Sequence, residues 1–233
     1  MQHEDCWLPT FDFNRLPSWA FCAVLVGSRG SGKTVAAQDF LSKTNGRFTH
    51  LYLCSGSEAV QSTKTYFPAI KQRYTDQQID EVINTLIEIQ REDLEKNDRD
   101  LKRIARPLVI IDDALGNDKS TWSSKILLKM ATQGRHYNIS LLYLTQGVTA
   151  SLSKTVRENI DCWFVFRSGN QRLAAFLVET FLFFGHHRKA TAYEYLKCAW
   201  SKEPYTMLCV MSHLIGSANV IQDFVFTYKA SLK

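Results

Sequence analysis

Three observations predict an α/β fold built around a mainly parallel central sheet. Apolar runs of strand length alternate with segments of helical periodicity along the chain. A glycine-rich loop, Gly27-Ser28-Arg29-Gly30-Ser31-Gly32-Lys33-Thr34, joins the first such strand to the first helix. A later apolar run, Leu108-Val109-Ile110-Ile111, ends in Asp112-Asp113.

The loop fits the pattern G-x-x-x-x-G-K-[ST], which cradles phosphates in nucleotide hydrolases. Phe21-Cys22-Ala23-Val24-Leu25-Val26 before it reads as a buried strand, and Val35 to Leu41 after it as a helix. A strand, a loop and a helix in that order are the context the motif needs. The glycines allow close backbone approach, so the loop N–H groups converge on an anion at the positive end of the helix dipole. Lys33 is placed to reach the β- and γ-phosphates of a nucleotide, and the Thr34 hydroxyl to ligate Mg²⁺. A plain Gly/Ser turn ahead of a helix would need the strand and the Lys-Thr pair to coincide by chance. With this motif the expected fold narrows to the three-layer sandwich of a P-loop NTPase.

Composition sets the outer bounds. With 233 residues, the chain suits one such domain over residues 21–233, with a motif core at 21–168 and an irregular aromatic segment at 1–20. That segment carries Trp7, Phe11, Phe13 and Trp19, which pack either over the sheet edge or against the nucleotide base. Hydrophobic residues make up 45% and charged residues 22%, as in an ordinary globular protein. The net charge of +5 permits an acidic partner such as nucleic acid without demanding one. The six cysteines (Cys6, Cys22, Cys54, Cys162, Cys198 and Cys209) contain no C-x-x-C pair and read as reduced, buried thiols of an intracellular protein. His186-His187 lack ligand partners at metal spacing and read as a surface pair. Met1-Gln2-His3-Glu4-Asp5 is too polar for a signal peptide, and Leu173 to Phe184 is too short to span a bilayer, so no targeting or membrane segment is expected.

The elements follow in order. Thr49 to Cys54 reads as the second strand. Thr75-Asp76-Gln77-Gln78 resembles a capping box and opens a helix of about 28 residues, with Ile79, Val82, Ile83, Leu86 and Ile87 at helical spacing and a charged tail from Arg91 to Arg103. Leu108 to Asp113 is a central strand. Thr121 to Gln133 is a helix with Gly134 as its stop, and Ile139 to Leu144 a strand ending in Thr145-Gln146. A short polar helix precedes the strand Cys162 to Phe166, and Gln171 to Phe184 is an amphipathic helix. The remainder gives a helix and then a strand from Tyr205 to Met211. Ligands of such sheets bind at the C-terminal ends of the strands, where the phosphate loop lies.

The second half of the site follows from that placement. Asp112, at the end of its strand, is aimed at the metal beside Thr34, and Asp113 at the attacking water. A helix-capping role is the plainer alternative for Asp113. Gln146 ends the neighbouring strand, where a side-chain amide can touch both water and γ-phosphate. Arg135 follows Gly134 at a helix end, suited either to the helix dipole or to a neighbouring subunit's site as an arginine finger; Arg157 and Arg167 are rivals for that role.

Gly27–Thr34, Ile110–Asp113 and the run from Gly134-Arg135 through Thr145-Gln146 to Arg157-Glu158-Asn159-Ile160-Asp161 and Arg167 together carry a family resemblance. The chain resembles the FtsK–HerA superfamily of DNA-pumping ATPases. In particular, it is similar to the poxvirus-type genome-packaging ATPases of large eukaryotic DNA viruses, virophages and polinton-like elements. The resemblance covers roughly residues 20 to 168 and leaves the last third unassigned. It implies an ATP- and Mg²⁺-dependent motor, a ring of identical subunits, that drives double-stranded DNA into a preformed capsid at a viral assembly site inside the host cell, or in association with the virion. The implied partners are DNA and capsid or portal-vertex proteins. The resemblance supports Gln146 as sensor and Arg135 as a finger acting in trans. DNA contact would fall to basic groups such as Lys125, Lys129, Lys154, Arg157, Arg188 and Lys189, which could grip phosphates without reading bases. The rival readings are a helicase or recombination ATPase, a small-molecule kinase and a guanine-nucleotide switch. The last is disfavoured by the absence of an Asn-Lys-x-Asp motif.

Overall fold

The computed structural model describes residues 7–56, 64–112, 122–148, 152–183, 189–201 and 203–231. The strands are β1 (Cys22–Val26), β2 (His50–Ser55), β3 (Gln72–Thr75), β4 (Pro107–Asp112), β5 (Ser140–Thr145), β6 (Cys162–Phe166), β7 (Thr206–Met211) and β8 (Val225–Lys229). The α-helices are α1 (Lys33–Lys43), α2 (Ile79–Lys96), α3 (Trp122–Gln133), α4 (Lys154–Glu158), α5 (Gln171–Leu177) and α6 (Lys189–Ser201).

The strands form one eight-stranded sheet in the order β3-β2-β4-β5-β1-β6-β7-β8. The first six of these positions pair in parallel, and β7 and β8 return antiparallel. The expected three-layer, mainly parallel sandwich is therefore present. Both faces of the sheet are covered, so the central strands are apolar at every position. Val24 and Val26 of β1 join Leu141 and Tyr143 of β5 and Trp163 and Val165 of β6 in the larger core, beneath α2, α3, α5 and α6. Ala23 and Leu25 join Leu142, Leu144 and Phe164 in a second core on the opposite face, beneath α1 and the N-terminal segment. The period of two along each strand divides the side chains between the two cores. Cys22, Cys54, Cys162 and Cys209 are free and buried, and burial pushes the Cys54 thiol up to about 12, so these thiols are held neutral; Cys198 is free but only half-buried, and Cys6 lies outside the described residues.

Of the N-terminal aromatics, Phe11 and Phe13 pack over the sheet edge, whereas Trp7 and Trp19 are exposed. Phe11 N–H donates to the Thr227 carbonyl at 2.9 Å, and Thr227 N–H donates to the Pro9 carbonyl at 2.8 Å, so the segment pairs with the outer edge of β8. Phe11 and Phe13 then stack edge-on against Phe40, Phe164 and Tyr228.

Several boundaries differ from the sequence reading. The long helix is 18 residues, not about 28, and ends at Lys96. Asp98 and Arg99 take φ of 54° and 60°, which turns the chain away. The Gln78 half of the capping box forms, with Thr75 N–H donating to Gln78 Oε1 at 3.0 Å, but a 3₁₀ turn over Asp76–Gln78 separates Thr75 from the helix proper. The α-helix ends at Gln133, directly before Gly134 as expected, but a 3₁₀ turn, Gly134–Tyr137, follows, and the chain reverses only at Asn138, with φ of 56°. The helix from Gln171 becomes a π-turn over Val178–Leu182. Strands β3 and β8 were not anticipated.

Strand β8 also holds the helix of the phosphate loop. The Tyr228 hydroxyl donates to the Asp39 carboxylate of α1, which is buried. Burial and this carboxylate both raise the phenol's pKa, so the donor stays protonated. Replacing Tyr228 by Phe leaves Asp39 without that donor and is expected to destabilise the fold by about 1–3 kcal/mol, read as a lower urea midpoint at unchanged m-value.

Candidate active site

Parallel pairing brings the C-terminal ends of β4, β5, β1 and β6 to one edge of the sheet. Val26 pairs with Thr145 on one side and Val165 on the other, and Asp112 pairs with Leu144. Gly27 N–H donates to the Thr145 carbonyl at 3.0 Å, which fixes the start of the loop on β5.

The loop itself is tightly constrained. A Cβ on Gly27 would lie 2.3 Å from Ser31 Oγ and 2.9 Å from the Phe166 ring, so only glycine fits. Gly32 has φ of +98° and caps α1 from the left-handed region. Lys33 is nearly buried and folds back over the loop, its Nζ donating to the carbonyls of Gly27 at 2.7 Å and Ser28 at 3.2 Å. Ser31 Oγ is buried and has no hydrogen-bond partner among the described residues. An enclosed donor and a cation on a loop of backbone N–H groups are what a phosphate ester would satisfy. Thr34 is half-buried in the first turn of α1, and Asp112 is half-buried at the end of β4. A hydroxyl and a carboxylate at one edge suit a hard divalent cation with oxygen ligands.

The other sequence-derived residues separate into groups. Gln146 is exposed on the turn after β5, between the strand of Asp112 and the strand of the loop. Asp113 lies outside the described residues. Arg135 is exposed and sits at the opposite edge, ahead of β5, a strand's length or roughly 17 Å from its own loop. Its neighbour there is Asp161, whose Oδ2 accepts the Cys22 N–H at 2.9 Å. Arg157 is bound into its own fold: Nη1 donates to the Leu152 carbonyl at 3.3 Å, and the guanidinium lies 5.5 Å from the centre of the Phe176 ring. Arg167 follows β6 and lines a cleft beside its own loop. Of the basic groups named for DNA, Lys125 is exposed on α3, Lys129 donates to Asn84 Oδ1 at 2.6 Å, and Lys154 pairs with Glu158 at 3.7 Å. Arg188 and the Lys189 side chain lie outside the described residues. Sequence reasoning missed Phe166, whose ring packs against Gly27 and Gly32. Its place beside the loop depends on β6 pairing with β1, which no local pattern signals.

The family model described as Poxvirus A32 protein matches residues 9–208. The chain belongs to this family. The likeness to poxvirus-type proteins read from its motifs is thus shown. Among solved structures, the A32-family chain is similar to the genome packaging NTPase B204 of Sulfolobus turreted icosahedral virus 2 in complex with sulfate, at 14% identity and a TM-score of 0.58, covering 92% of this chain and 98% of that one. It is also similar to the pCW3 conjugation coupling protein TcpA with ATPγS, at 12% identity and a TM-score of 0.65, covering 97% and 69%. EssC (ATPases 2 and 3) from Geobacillus thermodenitrificans matches at 12% identity and a TM-score of 0.61, covering 93% of this chain and 40% of that chain. At these identities the structures establish a shared fold. A search of curated protein sequences finds no match.

The Arg135 edge has a testable electrostatic signature. Burial raises the Asp161 pKa, against the smaller lowering effects of the Cys22 N–H, His213 and Arg135. A folded-state pKa above the unfolded one means that ionisation of Asp161 opposes folding. The penalty is absent below the unfolded carboxylate range and complete once pH has risen through the folded-state value. Asp161→Asn keeps an acceptor for Cys22 and removes the charge. The variant should be more stable than its parent at pH 7, and the gap in urea midpoint should close as pH falls through the carboxylate range.

Proposed function

We propose that this A32-family chain is an ATP-driven motor that translocates double-stranded DNA and packages a viral genome into a preformed capsid. The observation that carries the reading is the shared edge: Lys33 and Thr34 of the loop, Asp112 of β4 and Gln146 of the strand between them all lie at the C-terminal ends of parallel strands. Family membership supports the coupling of that chemistry to DNA. Two of the structural neighbours also carry nucleotide analogues or packaging roles in their descriptions.

In this reading, the loop N–H groups, Lys33 and the Ser31 hydroxyl hold the β- and γ-phosphates of ATP. Thr34 and Asp112 would hold Mg²⁺, which when bound neutralises charge on the transferring phosphoryl group. Lys33 exchanges its two loop carbonyls for phosphate oxygens as the nucleotide enters. Asp113 positions the attacking water. Gln146, between the two strands, registers loss of the γ-phosphate and passes it to the DNA-gripping elements. Arg135 is too far from its own loop to act there, which supports its assignment as a finger for the next subunit of a homo-oligomeric ring. Arg157 is held by its own fold and is the weaker candidate. DNA, capsid or portal-vertex proteins and neighbouring subunits are the partners, and the site of action is the interior of an infected host cell. No helix of the described residues is long and apolar enough to cross a membrane.

The test is ATP hydrolysis with and without long duplex DNA. Duplex DNA should stimulate hydrolysis, and Lys33→Ala should abolish both basal and stimulated rates. Stimulation by single strands alone would replace the motor with a helicase, and indifference to all nucleic acid would favour a kinase. Arg135→Ala should lower the assembled rate by about 10³-fold or more, and mixing it with Lys33→Ala subunits should restore activity. The mixture contains interfaces with an intact loop on one side and an intact arginine on the other. Absence of recovery would place the finger elsewhere.

A further inference from the structure

The cleft beside the phosphate loop continues past the residues used so far. A cavity of about 410 Å³ runs from Ser28–Ser31, past Arg167 at the end of β6, to Trp200 near the end of α6 and to Glu203 and Tyr205 ahead of β7. That volume falls within the range of small-molecule sites, roughly 300–1,000 Å³. The last third of the chain, which carries no motif, forms its far wall. We propose that this cleft is the nucleoside subsite, with the Tyr205 ring as the stacking platform for the base and Arg167 as the donor to the ribose or α-phosphate. The proposal rests on the phosphate-loop reading and gives the C-terminal third its part in it.

Tyr205 carries the argument. It is 62% exposed, yet it immediately precedes β7, in which every residue is buried. Its ring lies against the loop, 3.4 Å from where a Cβ on Gly32 would stand. Its φ is +65°, a left-handed conformation that bulky residues rarely adopt and that is found where surrounding structure imposes it, notably in ligand sites. An exposed aromatic face held beside a phosphate site is suited to a base, since every base presents a π-face.

The neighbouring groups fix the wall. The Trp200 indole N–H donates to the Val165 carbonyl at 3.3 Å, which anchors the end of α6 to β6. Glu203 pairs with Lys229 of β8 at 2.5 Å, which ties the connecting segment to the sheet. Antiparallel pairing of Phe166 with Met207 returns the chain to the edge where the loop lies. Arg167, the residue after Phe166, is exposed and makes no hydrogen bond or ion pair among the described residues. A cation without a partner beside an anion site is available to the ligand.

The test compares ATP with inorganic tripolyphosphate by calorimetric titration. Tyr205→Gly removes the ring and accepts the positive φ, so a change in affinity cannot be ascribed to backbone strain. It should weaken ATP binding about tenfold or more while leaving tripolyphosphate within about twofold of the parent. Tyr205→Phe should bind ATP nearly as the parent does. Lys33→Ala should weaken both ligands. Parental ATP affinity in Tyr205→Gly, or an equal loss for tripolyphosphate, would overturn the nucleoside subsite and leave the phosphate loop standing. Failure of the parent protein to bind either ligand would overturn the phosphate-loop reading itself.

Discussion

Parallel pairing of β1 with β5 on one side and β6 on the other is the constraint on which the rest depends. Both faces of β1 are buried, so a slip of one residue would exchange Val24 and Val26 for Ala23 and Leu25 between two differently packed cores. That register brings Gly27 to the carbonyl of Thr145 and sets Phe166 against the loop. The loop's shape is thus a consequence of sheet register as much as of its glycines. The candidate site residues gather at one edge because parallel strands all end there, and the opposite edge is left to Arg135 and Asp161.

The strand, glycine loop and helix at Gly27 and the central strands were legible because their signals are local. A glycine pattern between an apolar run and a helix states its own context, and Leu108 to Asp112 is apolar until its last residue. The elements that went unread lack such signals. β3, Gln72-Arg73-Tyr74-Thr75, is a short polar edge strand with no apolar run. The charged tail from Arg91 to Arg103 looks helical throughout. It stops because Asn97 N–H turns back to Asp93 and Leu94 and the next two residues go left-handed, without glycine or proline to announce it. The cleft wall at Trp200 and Tyr205 is assembled by the antiparallel return of β7, about 170 residues from the loop it faces. Pairing over that separation leaves no local trace.

The C-terminal third is consequently a brace for the elements around the loop. Tyr228 holds α1 through Asp39, Glu203 and Lys229 fasten the segment before β7, and Trp200 anchors α6 to β6. The helix whose first turn presents Lys33 and Thr34 is braced by a strand that enters the sheet last. Disturbance at β8 should therefore reach the phosphate site through packing, without any contact to a ligand.

Pairing of residues 9–11 with Thr227 bears on how copies of this chain can meet. An outermost strand with free amides and carbonyls invites another chain to add a strand of its own. Here the amide and the carbonyl of Thr227 are both taken by the chain's own beginning, and Phe11 seals the join with its ring. That side of the molecule is closed to strand addition at its midpoint. A second copy approaching that side would have to be met through side chains, which can slip and re-engage, rather than through a continuous ladder of backbone bonds.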